Sequence, residues 1–136
     1  MRTPRIIVGT DLAKVGDVAA AFERHGERYV TRLFTPDEIA YCREAPQLEA
    51  ERFAARFAAK EAVIKVLRPD GTWPDWRTIE VRRHPGGWCD IVLHGTAAER
   101  AQAAGIASLS VSMSHDGEYA IAVVTAELEA TFGGTT

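Results

Sequence analysis

The sequence predicts a single α+β domain in which a small antiparallel sheet packs against a long buried helix. Three observations support this prediction. Residues 51–67 carry apolar side chains at helical spacing on both sides of the segment. Residues 108–114 alternate strictly between serine and apolar side chains, as a strand with one buried face does. The length of 136 residues suits one domain with a core of its own.

The composition is that of a soluble globular protein, with 46% hydrophobic and 26% charged residues. The net charge of −3 and the absence of a basic tract exclude a general nucleic-acid binder. No apolar run reaches membrane length and the N-terminus lacks a signal peptide, so we expect no membrane association and a cytoplasmic location. Cys42 and Cys89 form no close-spaced pair, which indicates neither a zinc site nor a disulfide framework.

The chain is predicted to begin with a strand and a helix. Residues 6–8 are a short apolar run ending at Gly9 and Asp11, which predicts a buried strand that delivers a carboxylate at its end. Residues 17–33 have helical periodicity, interrupted at Gly26.

A capping box predicts where the second helix begins. Thr35 is the expected N-cap, Pro36 takes the first helical position and Glu38 completes the box. Pro46 ends this helix, and the long apolar helix follows. It is predicted to stop at the "RPDG" turn, where proline and glycine break the pattern.

Strands dominate the C-terminal half of the prediction. The predicted elements are a hairpin of strands 78–83 and 88–93 around "HPGG", a helix at 96–104, and a last hairpin that turns at Asp116 and Gly117. The serine face of the last hairpin suits either tight packing by a neighbouring element or a polar role for the hydroxyls. Residues 1–127 are expected to form the domain, and residues 128–136 a tail.

Four charges lie within the long apolar helix. Glu61 precedes Lys65 by four residues, which predicts a favourable ion pair. Arg56 and Lys60 are like charges at the same spacing, which predicts an anion such as a phosphate between them. The alternative is a core helix whose long charged side chains reach water at their tips.

Together with residues elsewhere, these charges indicate phosphoryl-type chemistry. Two carboxylates, Asp11 and Glu61, suit Mg²⁺, which keeps several waters and binds substrate phosphates. The arginine and lysine side chains of the long helix suit the phosphates themselves. His115, at a strand end beside a turn, is placed to bind an anion, although a lone histidine there is more commonly a surface residue.

Three motifs, "GTDL", "RFAAKEAVIK" and "VSMSHD", in this order and spacing, resemble the holo-acyl-carrier-protein synthase family of small 4′-phosphopantetheinyl transferases. The motifs and the elements that join them cover residues 6–127. The resemblance implies an α+β fold and a homotrimer with active sites at subunit interfaces. It also implies Mg²⁺-dependent transfer of the phosphopantetheine arm of coenzyme A to a serine of an apo acyl carrier protein or carrier domain, with release of adenosine 3′,5′-bisphosphate.

The resemblance also assigns roles to individual residues. Asp11 and Glu61 match the metal ligands, and Glu61 or a water it orients would take the proton of the carrier serine. Lys65 matches a catalytic lysine near the pyrophosphate. The positions associated with the phosphates of coenzyme A or their support are Arg56, Lys60, Lys65 and His115.

The sequence departs from the family pattern at two places. The glycine-rich "GTG" loop after the lysine helix is replaced by "VLRPDG", which affects the expected coenzyme A contact. After Asp11, the usual glutamate and arginine are Lys14 and Asp17, so both signs are reversed. The reversal indicates either a retuned carrier-binding surface or an exposed helical ion pair without a role.

Two other classes of function compete with the transferase. One is a non-catalytic binding or assembly module of the same fold, and the other is a metal-dependent hydrolase of the coenzyme A pyrophosphate. Retention of Asp11, Glu61 and Lys65 favours the enzyme over the module, because a module has no use for a costly buried carboxylate among cations. The hydrolase is the weaker alternative, since no glutamate-rich helix is present. The sequence leaves open whether the carrier serves fatty-acid, polyketide or peptide synthesis.

Overall fold

Five strands and four α-helices occupy residues 5–129, the part of the chain that the computed structural model describes. The strands are β1 (Arg5–Lys14), β2 (Ile79–Arg83), β3 (Cys89–Leu93), β4 (Ile106–His115) and β5 (Tyr119–Leu128). The helices are α1 (Val15–Leu33), α2 (Pro36–Cys42), α3 (Glu49–Leu67) and α4 (Gly95–Ala103). The α+β prediction is confirmed. Leu128, predicted to belong to the tail, ends β5, and residues 130–136 of that tail lie outside the described residues.

The larger sheet has the strand order β1-β5-β4, and both of its pairings are antiparallel. β2 and β3 form a separate two-stranded hairpin. Helix α3 lies across one face of the larger sheet, which is lined mainly by small residues: Gly9 and Ala13 from β1, and Ala120, Ala122 and Ala126 from β5. Small side chains let a helix and a sheet approach closely. This close approach brings β1 against the charged helix.

The prediction that β1 is a buried strand is wrong in two respects. Its side chains alternate, so that Ile6 and Val8 are 69% and 65% exposed while Gly9 is buried. The strand also continues past Asp11 to Lys14, which places Asp11 within the strand and not at its end. The physical reason is that β1 belongs to an antiparallel sheet, which one helix layer covers on a single face.

The uncovered face of the larger sheet is rich in apolar side chains. We call it the outer sheet face, and its large exposed members are Ile6, Val8, Leu12, Tyr119, Ile121 and Val123. The predicted alternation of β4 is confirmed, and the serine face is exposed on this same side. Of the two interpretations of the serines, tight packing by a helix does not occur among residues 5–129. The outer sheet face therefore combines apolar and small polar side chains.

The predicted helix signals at Gly26 and Thr35 are confirmed, whereas the prediction that Pro46 ends the second helix is wrong. Helix α2 already ends at Cys42, and Pro46 begins a short 3-10 helix, a first position that suits proline. Helix α1 is interrupted at Gly26, whose φ of 75° lies in the left-handed region that glycine favours. The Thr35 hydroxyl accepts from the Glu38 amide at 3.2 Å, and a Glu38 carboxylate oxygen accepts from the Thr35 amide at 2.8 Å. These two bonds are the predicted capping box.

Helix α3 is buried along most of its length, as predicted. It ends at Leu67, and the next residue, Arg68, caps it with a φ of 50°. Arg100 of α4 donates from Nε to the Leu67 carbonyl at 2.8 Å and thereby satisfies one of the free carbonyls at this helix end. Within residues 5–129, no helix combines the length and the apolar character needed to cross a bilayer.

Both cysteines are free thiols, in agreement with the sequence. Cys42 is fully buried, and this burial raises the pKa of its thiol to about 12. Cys89 is half-buried, and desolvation raises its pKa as well. Both thiols therefore stay protonated at neutral pH and act as packing groups.

Candidate active site

Three of the predicted site residues meet where β1 crosses α3. Asp11 faces the helix from the inner side of β1, and Glu61 and Lys65 are one helical turn apart on α3. The Lys65 ammonium donates to the Thr10 carbonyl at 2.6 Å and lies 3.4 Å from an Asp11 carboxylate oxygen. The sequence prediction that these three groups act together thus has a geometric basis.

The electrostatics of this group favour a bound cation. Burial raises the pKa of Glu61, the charge of Asp11 raises it further, and Lys65 opposes both effects. The two carboxylates therefore repel each other, and the single ammonium compensates only one of them. The predicted pair of Glu61 with Lys65 is replaced by the pair of Lys65 with Asp11, because the lysine side chain reaches across to the adjacent strand.

The donor set fits Mg²⁺ better than it fits a metal held entirely by protein. Mg²⁺ prefers carboxylate oxygen and is commonly held by one or two carboxylates, with water and substrate phosphates completing its shell. Asp11 and Glu61 supply such a pair. Among residues 5–129, three or more histidine, cysteine or carboxylate side chains do not cluster around a common point.

Lys60 has a structural partner that the sequence analysis did not identify. Its ammonium is completely buried and donates to the Glu38 carboxylate at 2.8 Å, to the Leu33 carbonyl at 2.8 Å and to the Trp76 carbonyl at 3.0 Å. Burial lowers the pKa of Lys60, and Glu38 opposes this shift. The three donors of an ammonium are all used. The prediction that Lys60 shares a phosphate with Arg56 is therefore wrong.

Arg56 lies on the far side of α3 from the carboxylate pair. It is five residues before Glu61, which is about 140° around the helix axis. Its guanidinium is 4.4 Å from the ring centre of Tyr41 and donates at 3.8 Å to the sulfur of Cys89. Although 95% buried, Arg56 has no carboxylate within 4.0 Å among the described residues. It lines a cleft of about 280 Å³ together with Arg83.

His115 is also remote from the carboxylate pair within the chain. Its Nδ1 lies 2.5 Å from a carboxylate oxygen of Glu51, in the first turn of α3. Glu51 and Glu61 are ten residues apart, or about 15 Å along the helix axis. A single chain thus brings Asp11, Glu61 and Lys65 together and leaves His115 and Arg56 elsewhere.

The structure adds Thr10, Glu38 and Glu51 to the residues that organise α3. Thr10 accepts the Lys65 hydrogen bond with its backbone carbonyl, so the identity of its side chain could not have predicted this contact. The sequence predicted only the capping role of Glu38. Its second role, binding Lys60, joins residues 22 apart and leaves no pattern in the neighbouring sequence. Glu51 pairs with a residue on a distant strand, which helical periodicity does not reveal.

A mostly apolar cavity of about 290 Å³ is lined by Leu12 and Ala13, which follow Asp11 on β1, and by Phe57, one helical turn before Glu61. Lys14 and Asp17, the two positions with reversed charge, lie at its rim. Lys14 is the last residue of β1 and not part of α1. The helical ion pair of Lys14 with Asp17 is accordingly not formed, and the salt bridges of residues 5–129 do not include it.

Comparison with known proteins places these features in context. Residues 7–124 match the 4′-phosphopantetheinyl transferase superfamily. A holo-[acyl-carrier-protein] synthase of Koribacter versatilis is 43% identical over 123 residues, covering 88% of this chain and 95% of the relative. The enzyme of the same name from Dehalococcoides mccartyi is 42% identical, covering 90% and 98%.

Solved structures have the same fold. A coenzyme A complex of the synthase from Chronobacterium ammoniagenes superimposes with a TM-score of 0.82 at 29% identity, covering 92% of this chain and 98% of the other. The Helicobacter pylori holo-[acyl-carrier-protein] synthase in complex with coenzyme A gives a TM-score of 0.76 at 29% identity, covering 88% and 99%.

Proposed function

The chain belongs to the 4′-phosphopantetheinyl transferase superfamily and is an enzyme of the holo-[acyl-carrier-protein] synthase type, and we propose that it uses Mg²⁺ to move the phosphopantetheine arm of coenzyme A to a carrier serine. In this reaction the serine oxygen bonds to the phosphorus that carries pantetheine. The bond from that phosphorus to the leaving oxygen breaks, and adenosine 3′,5′-bisphosphate is released.

Asp11 and Glu61 would hold the metal ion from opposite elements, β1 and α3. When bound, Mg²⁺ supplies charge stabilisation at the pyrophosphate oxygens. Lys65, which already contacts both Thr10 and Asp11, would turn its ammonium toward the same pyrophosphate. The raised pKa of Glu61 suits a group that takes the serine proton directly or through a water molecule.

The single observation that carries this proposal is the meeting of Asp11, Glu61 and Lys65 at the crossing of β1 and α3. Intact-mass analysis of apo carriers incubated with coenzyme A and MgCl₂ tests it. We expect one phosphopantetheine added per carrier and adenosine 3′,5′-bisphosphate in the supernatant. If the enzyme is folded and none of the carriers tested gains mass, the result would favour the non-catalytic binding module.

We propose further that the active enzyme is a homotrimer. The outer sheet face exposes six large apolar side chains, more than a monomer commonly leaves to solvent in one patch. In a closed ring, the outer sheet face of each subunit would be covered by its neighbours. His115 and Arg56, remote from the carboxylate pair in one subunit, would then contact coenzyme A phosphates bound at a neighbour's site. The cytoplasmic location, expected because no apolar run of membrane length and no signal peptide were recognised, stays a prediction.

Disrupting the outer sheet face should dissociate the trimer and stop transfer together. We expect Val8→Lys to turn a species of three times the 14.9 kDa chain mass into a monomer, because a charge would replace an apolar contact. Light scattering at assay concentration measures this. Trp88→Lys, at a similarly exposed tryptophan on β3's hairpin, is the matched control and should stay trimeric. A fully active monomer in the parent protein would contradict the proposal.

Carrier choice should depend on the charge of Asp17 at the cavity rim. We expect Asp17→Arg to raise the rate of transfer to a strongly acidic carrier at low salt, because the present carboxylate repels it. The gain should shrink as ionic strength rises, and coenzyme A affinity should not change. Glu99→Arg makes the same charge change at an exposed position of α4 and serves as the control. Equal transfer by all three proteins at low salt would show that position 17 has no role in carrier binding.

A further inference from the structure

Gly9 makes a very close backbone contact between β1 and α3. A Cβ atom at Gly9 would lie 2.4 Å from the Ala62 carbonyl oxygen, 3.1 Å from Val66 Cγ1 and 3.2 Å from Lys65 Cβ. The carbonyl belongs to the helix backbone, so no side-chain rotation relieves this contact. A carbon atom needs about 3.3 Å from a carbonyl oxygen. A side chain at Gly9 would therefore separate strand and helix by roughly 1 Å.

Position 9 requires glycine because helix α3 lies so close to β1, and not because the backbone there has an unusual conformation. Gly9 lies in a regular strand and is not among the positive-φ glycines of residues 5–129, which include Gly26. Its backbone angles suit any residue. What the position excludes is the volume of a side chain.

The groups around Gly9 are those of the candidate active site. Asp11 is two residues after Gly9 and faces the same side of β1. Glu61 directly precedes Ala62, whose carbonyl limits the approach, and Lys65 supplies another of the contacts. The separation of strand and helix at Gly9 therefore sets the position of the Asp11 carboxylate relative to Glu61.

We propose that Gly9 is a positioning residue that holds Asp11 at the separation from Glu61 that a Mg²⁺ ion requires. The inference rests on the proposed function, in which these two carboxylates are the metal ligands. Mg²⁺ demands oxygen ligands at about 2.0–2.1 Å in near-octahedral geometry, whereas Ca²⁺ accepts about 2.3–2.6 Å and irregular arrangements. A shift of roughly 1 Å exceeds what Mg²⁺ tolerates and stays closer to what Ca²⁺ accommodates.

Cation titrations of Gly9→Ala test this inference by calorimetry in the presence of coenzyme A. We expect Mg²⁺ affinity to fall about 10- to 100-fold, as for other residues that orient metal ligands. Ca²⁺ affinity should fall much less. Gly16→Ala is the control, because a Cβ there would meet nothing within 4 Å, and it should retain both affinities. Equal losses for the two cations, or an unchanged Mg²⁺ affinity, would overturn the role of Gly9.

A rescue experiment distinguishes a displaced Asp11 carboxylate from a general loss of packing in the Gly9→Ala variant. Asp11→Glu alone should weaken Mg²⁺ binding, because the longer side chain overshoots in the parent geometry. In the Gly9→Ala background the same change should restore part of the Mg²⁺ affinity, since it spans the added gap. A further loss in the double variant would count against positioning. Failure of the parent protein to bind either cation would instead refute the proposed metal site.

If Gly9→Ala does not fold, a substitution on α3 at the same contact can test the inference instead. Val66 Cγ1 is the side-chain atom nearest to the absent Cβ, and Val66→Ile adds one methyl group at the same contact. We expect this variant to show the same selective loss of Mg²⁺ over Ca²⁺ affinity. An unchanged preference between the two cations in a folded Val66→Ile protein would contradict the inference.

Discussion

Asp11→Asn and Glu61→Gln should each reduce phosphopantetheine transfer by at least about 100-fold while leaving the protein folded. Each change keeps the size of the side chain and removes one negative charge from a two-carboxylate site. The remaining carboxylate alone would no longer hold Mg²⁺ at the position needed next to the pyrophosphate. Charge stabilisation at the leaving oxygen would then be lost. Initial rates by intact mass, with circular dichroism for the fold, measure both effects.

A matched control shows that the effect belongs to the site. Glu99→Gln removes one exposed carboxylate from α4 and should transfer at the parent rate. Raising the MgCl₂ concentration should recover part of the activity of Glu61→Gln if the lost group binds metal alone. Recovery should be absent if Glu61 also accepts the serine proton, because an amide cannot do so. Parent-rate transfer by either variant would remove that residue from the mechanism.

Lys60→Met should lower the free energy of unfolding by about 3–5 kcal/mol, the usual result of removing one partner of a buried ion pair. The variant leaves the Glu38 carboxylate without the ammonium in a site where both side chains are almost fully buried. It also leaves the Leu33 and Trp76 carbonyls without their donor. Denaturant unfolding followed by circular dichroism measures the change.

The other lysine of the helix provides the contrast. Lys65→Met removes an ammonium that is about half exposed, so it should cost less than about 1 kcal/mol in stability while abolishing transfer. In the double variant Lys60→Met with Glu38→Gln, the loss of stability should be smaller than in Lys60→Met alone, because no unpaired charge remains buried. Similar stability losses for Lys60→Met and Lys65→Met would contradict the structural assignment of Lys60.

The secondary structure was predictable because its signals are local. The capping box at Thr35, the break at Gly26 and the alternation of β4 each depend on residues within a few positions of one another. The three motifs that carry the family resemblance are local as well. The carboxylate pair followed from them, since Asp11 and Glu61 each lie within one such motif.

The environment of each charge was decided only by the tertiary structure. Lys60 and Glu38 are 22 residues apart, and Lys65 and Asp11 are 54 apart. Helical or strand periodicity relates only residues a few positions apart, so it could not reveal either pair. Spacing along α3 favoured a Glu61–Lys65 pair and a phosphate at Lys60. In the folded chain, other elements supplied closer partners, because a buried charge is stabilised by whichever opposite charge or carbonyl lies within hydrogen-bond distance.

By itself, the sequence determined most of the element types, the family and the candidate site residues Asp11, Glu61 and Lys65. The tertiary structure decided that β1 is exposed on one side, that α3 packs closely on Gly9, and that Arg56 and His115 lie far from the carboxylate pair within the chain. The physical reason is that periodicity reports which side of an element is apolar, whereas distances across a core depend on the volumes of side chains that meet from remote parts of the chain.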